Sequence, residues 1–174
     1  MQEKKSANRK RCKWTLEDPR MERYHDEVLG FPAKNDNELF ERMTQQIFQA
    51  GLSWKTIWYS EKAFKKAFDK FSIKKVAAYT EKDKQRLLSD ATIIRNKAKI
   101  EATLENAKRI LALQKEFGSF QKFLDGIPND LLQCQKEMKG RFKFMGPEIT
   151  RMFVMNIGKI EDTHEEGCWR AKKK

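Results

Sequence analysis

The chain has 174 residues, 37 Lys and Arg against 25 Asp and Glu, and a formal net charge of +12. Its apolar fraction of 39%, with 12 Phe and 4 Trp, is enough for a core and excludes general disorder. No apolar run approaches the roughly 20 residues of a transmembrane helix.

A chain this basic usually meets a polyanion: nucleic acid is the first candidate and a membrane surface the second, with plain solubility as the bland alternative. The first residues, Met1 to Lys5, lack the apolar stretch of a signal peptide. A cytoplasmic protein is expected. Three cysteines in such a chain argue for metal-bound, reactive or buried thiols rather than a disulfide framework.

Residues 1–10 read as a disordered basic arm and residues 171–174 as a frayed basic tail. Between them the pattern is helix after helix. Asn35 and Glu38 stand as the two ends of a capping box. Leu39, Phe40, Met43, Ile47 and Ala50 follow at helical spacing, with Gly51 as the stop. Ser60, Ser72 and Thr80 suit the N-caps of three short helices. A long helix is expected from about Arg95 to Phe117, striped with Ala98, Ala102, Ala107, Ile110, Leu111 and Leu113 and ended by Gly118. Ser119 and Pro128 mark two more short helices. Pro147 opens a last one carrying Ile149, Met152, Phe153 and Ile157, closed by Gly158. No strand-like alternation competes, and no repeat is visible.

The chain has only two histidines, and each lies near a cysteine. Cys12 precedes His25 by 13 residues, and His164 and Cys168 form an H-x3-C pair, a spacing that puts both on one face of a helical turn. Two thiolates and two imidazoles are a tetrahedral zinc set, and a shared ion would tie the chain's two ends together. Spacing alone is met equally by two unrelated surface histidines and two buried thiols. Cys134 has no histidine near it and reads as a packing residue.

The segments Arg11-Cys12-Lys13-Trp14, Tyr24-His25-Asp26, Gly30-Phe31-Pro32, Gln49-Ala50-Gly51-Leu52-Ser53-Trp54, Ile93-Ile94-Arg95-Asn96 and Arg141-Phe142-Lys143-Phe144-Met145-Gly146 occur in that order. Together they resemble the DNA-3-methyladenine glycosylase I family across about Arg11 to Trp169. The stretch from about Ser119 to Lys139 matches poorly.

The resemblance implies an all-α, helix-hairpin-helix DNA glycosylase fold: a single domain over residues 11–170, with two helical lobes and a pocket between them. It implies a structural zinc held by Cys12, His25, His164 and Cys168. It implies a monomeric, nucleoid-associated repair enzyme that acts on double-stranded DNA with alkylated bases. Trp14, Tyr24 and Trp54 match the pocket aromatics. The hairpin from Lys139 to Gly146 would hold the DNA backbone, with Arg141 and Lys143 adding charge and Gly146 leading into the helix N-terminus. Phe142 and Phe144 read as core, and Trp58, which matches no pocket residue, as packing.

The family's pocket glutamate is replaced by Gln46, which keeps a carbonyl acceptor, loses the charge and adds an NH2 donor. Val28 and Leu29 replace a usual Glu-Trp pair, and Glu148 is a candidate to return a carboxylate from another direction. No lysine stands where bifunctional relatives form a Schiff base, so a monofunctional N-glycosylase removing 3-methyladenine or a related base is expected. Gln46 motivates two alternatives: altered specificity, or a non-catalytic lesion-binding module. A zinc-stabilised interaction protein without a DNA role is the third.

Overall fold

The computed structural model describes residues 9–171, which fold as ten α-helices with no strand among them. In chain order these are α1 (Pro19–Glu27), α2 (Asp36–Gln49), α3 (Trp54–Tyr59), α4 (Glu61–Ala67), α5 (Ile73–Ala77), α6 (Glu81–Ser89), α7 (Lys97–Phe117), α8 (Phe120–Gly126), α9 (Leu131–Arg141) and α10 (Pro147–Asn156). Among the described residues, no helix is long and apolar enough to cross a membrane. Most of the expected basic arm and tail lies outside the described residues. Arg9 and Lys10, at the arm's end, are docked: the Arg9 guanidinium sits over the Trp169 ring, and the Lys10 carbonyl accepts from Trp169 N–H at 2.8 Å.

α2 is the central helix. Leu39, Phe40, Met43, Ile47 and Phe48 are each no more than 1% exposed, and its neighbours include α3, α7, α8 and α10. Phenylalanines pack around it. Phe48, Phe64, Phe68, Phe71 and Phe40 form a chain of ring contacts, while Phe120, Phe123, Phe142 and Phe153 form another. Asp36, in the first turn of α2, accepts from the Phe120 and Gln121 N–H groups and from Gln114 Nε2. Its carboxylate thereby caps α8 and braces the end of α7, with the sign the helix dipole favours.

Several ends differ from expectation for identifiable reasons. α7 begins at Lys97, because Asn96 caps it through the Lys99 N–H at 3.1 Å. Ser60 donates its hydroxyl back to Thr56 O, and Ser72 makes no side-chain cap because Asn37 Oδ1 takes the Ile73 N–H from across the fold. Asn35 does cap Glu38, but the Glu38 carboxylate reaches the Lys34 N–H and Arg42 instead of closing the box. α9 starts at Leu131 behind Asp130, not at Pro128, and its eleven residues absorb Lys139, Gly140 and Arg141. The hairpin is therefore shorter than the sequence suggested, running from Phe142 to Gly146.

The turn after α10 presses against the turn after α1. Gly158 has φ +74, and a Cβ there would lie 2.5 Å from Gly30 O. Gly30 N–H itself donates to Asn156 O at 2.8 Å. Gly158→Ala is expected to cost more than the ~1–3 kcal/mol of left-handed strain alone, because the opposing atom is backbone. Denaturant unfolding measures it, and a cost under ~1 kcal/mol would show that the two turns can part freely.

Candidate functional site

The site is built where α1, α2, α3 and the end of α10 meet. The Tyr24 ring, on α1, is 97% buried. Trp54 packs 4.7 Å from it, Trp58 5.0 Å and Trp14 6.1 Å. The Tyr24 hydroxyl accepts from Asn156 Nδ2 at 2.8 Å. Burial holds the phenol well above its usual range, so it stays protonated and remains a donor.

Gln46 lies on α2 one turn beyond Arg42, hence on nearly the same face. The Arg42 guanidinium donates to Val28 O, Phe31 O and Asn156 O at 3.2, 2.7 and 3.3 Å. That face therefore looks toward the turn after α1 and the end of α10. Gln46 is 1% exposed. Neither Gln46 Oε1 nor Nε2 has a hydrogen-bond partner, nor do Trp54 Nε1 and Asn156 Oδ1. Burying such groups unpaired is costly. Their grouping beside an aromatic cluster marks a place kept for a polar, flat ligand.

The metal-ligand set comes together from both ends of the chain. Cys12, His25, His164 and Cys168 place their donor atoms within 4.8 Å of one another. Cys12 Sγ is 3.5 Å from His164 Nδ1, and Cys168 Sγ is 3.3 Å from His25 Nε2 and 3.9 Å from His164 Nδ1. A tetrahedral zinc with one sulfur and one nitrogen ligand separates them by about 3.6 Å, so the cluster fits. His25 presents Nε2 because its Nδ1 faces Asp26 at 2.8 Å, and that carboxylate is also held by Arg11 and Trp169 Nε1. Such a carboxylate behind a ligating histidine fixes its tautomer. Without a cation the Cys12 thiol is pushed up to about 11, mainly by burial; a bound metal would reverse that preference. All four positions are filled by protein, leaving none open for an activated water.

The spacing argument for a helical turn fails here. Residues 159–171 contain no helix, and His164 and Cys168 meet through a Glu165–Cys168 turn instead.

The hairpin Phe142–Gly146 is anchored by the buried side chains of Phe142 and Met145. Asn106, fully buried on α7, grips Lys143 at both main-chain atoms: its Nδ2 donates to Lys143 O at 2.9 Å and its Oδ1 accepts Lys143 N–H at 2.8 Å. No side chain caps α10 at Gly146. Phe144 overturns its expected core position. It is 41% exposed with φ +63, at the apex of the turn.

The methyladenine glycosylase family model matches residues 14–137. The chain belongs to that family. It is similar to "DNA-3-methyladenine glycosylase 1" of Escherichia coli (strain K12), 33% identical over 91% of this chain and 95% of the relative. Among solved structures, a 3-methyladenine DNA glycosylase I superposes with a TM-score of 0.83 at 32% identity, covering 94% of this chain and all of the other. The Staphylococcus aureus 3-methyladenine DNA glycosylase I, solved to explain 3-methyladenine recognition, gives 0.81 at 31% identity over 94% and 97%.

The methyladenine glycosylase fold thus brings Trp14, Tyr24, Trp54 and Gln46 to one region and Cys12, His25, His164 and Cys168 to another. The two adjoin, since the Trp14 ring lies 5.4 Å from His25. Glu148 does not join them: it is exposed on the first turn of α10 and paired with Arg151. The Arg141 side chain folds back over Phe123 and toward Glu137, whereas Lys143 is exposed at the hairpin. Cys134 is buried as expected, and Trp58 is tied by its Nε1 to Arg20 O. Sequence reading missed Asn156, Asn106 and Arg42. Asn106 stood in a matched segment but carried no visible chemistry until its amide met Lys143.

Proposed function

We propose that this methyladenine glycosylase excises 3-methyladenine or a closely related base from duplex DNA as a monofunctional N-glycosylase. The observation that carries the reading is the aromatic cluster of Trp14, Tyr24 and Trp54 beside the unpartnered polar atoms of Gln46, Trp54 and Asn156. A base in a duplex must be flipped out to be reached. Methylated at N3, adenine is cationic, and aromatic faces attract a desolvated cation by about 2 kcal/mol or more. Its glycosidic bond breaks with a neutral leaving group, and water adds at the sugar, so the site need only bind, orient and desolvate.

The hairpin's part is to hold backbone phosphate at the uncapped N-terminus of α10, helped by Lys143 and, once released from Glu137, Arg141, with Gly146 leaving the approach open. The Cys12, His25, His164 and Cys168 site is assigned to a structural zinc that supplies no chemistry to the reaction. Residues 11–170 are taken as one domain working as a monomer, two helical lobes flanking the niche.

Incubation with methylated duplex DNA is expected to release free 3-methyladenine. Trp54→Ala should cut the rate by about 10- to 100-fold, the scale of removing one ring on which a base stacks. Salt-sensitive DNA binding with no base released by the metal-loaded protein would instead identify a lesion-binding module. Asn106→Leu, which frees the hairpin, should weaken DNA binding while leaving free-base binding intact. It should also flatten the log–log salt dependence by about 0.9 for each phosphate the hairpin no longer neutralises. An unchanged salt slope would remove the hairpin from the DNA interface.

A further inference from the structure

We propose that Gln46 reads a flipped adenine along its N6–N7 edge, its Oε1 accepting from the N6 amino group and its Nε2 donating to N7. The site then takes adenine adducts that leave this edge intact and rejects purines carrying an oxygen at position 6. This inference rests on the base-excision reading above and assigns the lesion class within it.

A side-chain amide buried to 1% exposure with both polar atoms unpaired is rare in a folded protein. Gln46 is not placed by its own hydrogen bonds, so its orientation is left for a ligand to use. An amide shows one acceptor and one donor side by side, where a carboxylate shows two acceptors. The edge that complements it has a donor beside an acceptor. Adenine offers that pair at N6 and N7, whereas guanine offers two acceptors, O6 and N7, and the bidentate pairing of Gln or Asn with adenine is the established consequence.

The surroundings favour a base in one orientation. Trp54, whose Nε1 is also unpaired, and Asn156, whose Oδ1 is, both contact Tyr24, while the face of α2 that carries Gln46 looks toward Asn156 through Arg42. Thr44, the remaining unpaired side chain, lies on the opposite face of α2 and takes no part. Alkylation at N3 leaves the N6–N7 edge untouched and is felt by the rings. Alkylation at N7 removes the acceptor that Nε2 needs. Because Gln46 is uncharged, it selects by pattern rather than by charge.

The test uses the metal-loaded protein with free adenine, hypoxanthine and 7-deazaadenine, followed by the indole N–H signals of the tryptophans. It also measures 3-methyladenine and 3-methylguanine released from the same methylated DNA. Adenine is expected to bind roughly 5- to 150-fold tighter than hypoxanthine, the discrimination of one bidentate pair, and the two released bases should differ in rate in the same direction. Adenine should also outbind 7-deazaadenine.

In Gln46→Glu that last order should reverse, because two acceptors repel N7 and tolerate its removal. In Gln46→Leu both preferences should fall toward one, with thermal stability kept or raised, since an unpaired buried amide has been removed. A destabilised Gln46→Leu with discrimination intact would mean that the amide is structural. Equal binding of all three bases by the wild type would overturn the inference while leaving base release unaffected. Preference without release from DNA would overturn the enzymatic reading alone, and no purine binding at all would overturn both.

Discussion

Removing the metal with a strong chelator, or replacing one ligand by Cys168→Ser, is expected to lower the unfolding midpoint by about 10–20 °C. The ligands come from residues 12 and 25 at one end and 164 and 168 at the other, and they converge within 4.8 Å. A shared ion therefore closes a loop of well over a hundred residues. In the chain-entropy description a cross-link over a loop of ~100 residues is worth about 4.7 kcal/mol, and in a domain of this size each kcal/mol moves the midpoint by roughly 2–4 °C. The core around α2 and α7 stands apart from the clasp, so the apo protein should stay folded. Opening should instead be confined to the ends: amide exchange or proteolysis should rise at residues 9–18 and 160–171. Calorimetry with metal analysis by mass spectrometry checks this. One zinc per chain, lost together with the stability, is the expected result. An unchanged midpoint in metal-free protein would remove the clasp from the account of stability.

The same clasp should reach the base site. Trp14 follows Cys12 by two residues and packs on both His25 and Tyr24. Loosening the Cys12 segment should therefore slow base release by displacing Trp14, although no ligand touches the base.

The legibility of this molecule followed the range of the interactions. Helices whose ends are set by a local cap were readable: α2 behind Asn35, α8 behind Ser119, α6 with its Thr80–Asp83 box, and α10 behind Pro147. Ends set from across the fold were not, because Asn37 capping α5 at Ile73 leaves no mark in neighbouring sequence. The same division runs through the site. Trp14, Tyr24, Trp54 and the four metal ligands were named because their side chains advertise chemistry or match a family segment. Asn156, Asn106 and Arg42 were not, because their role is to bond main-chain atoms, or a phenol, far away in sequence. Phe144 misled because apolar character argued for the core, while the turn it closes points it outward at φ +63. His164 and Cys168 were paired correctly on mistaken geometry. Four-residue spacing suits a helical face, but here a coil and a turn serve equally well.

Arg42→Met is expected to destabilise the protein by about 3–5 kcal/mol, the cost of removing one partner from a buried, hydrogen-bonded ion pair. Arg42 is 4% exposed. Its guanidinium binds Glu38 on its own helix and spreads the remaining donors over Val28 O, Phe31 O and Asn156 O. It is the clip that holds the turn after α1 and the end of α10 against α2. Methionine matches much of the length and none of the donors, leaving three carbonyls and a carboxylate to be resolvated or stranded. Arg42→Lys should recover only part of the loss, because a point charge cannot reproduce the planar fork. The functional cost should travel through Asn156, whose side chain holds the Tyr24 hydroxyl. A double-mutant cycle separates the two effects. In an Asn156→Ala background Arg42→Met should still lower the midpoint, but its further effect on base release should shrink well below its effect in the wild type. If the two substitutions instead multiply in full, Arg42 acts on the reaction by a route other than Tyr24, and the placement of the phenol is set by the aromatic cluster alone.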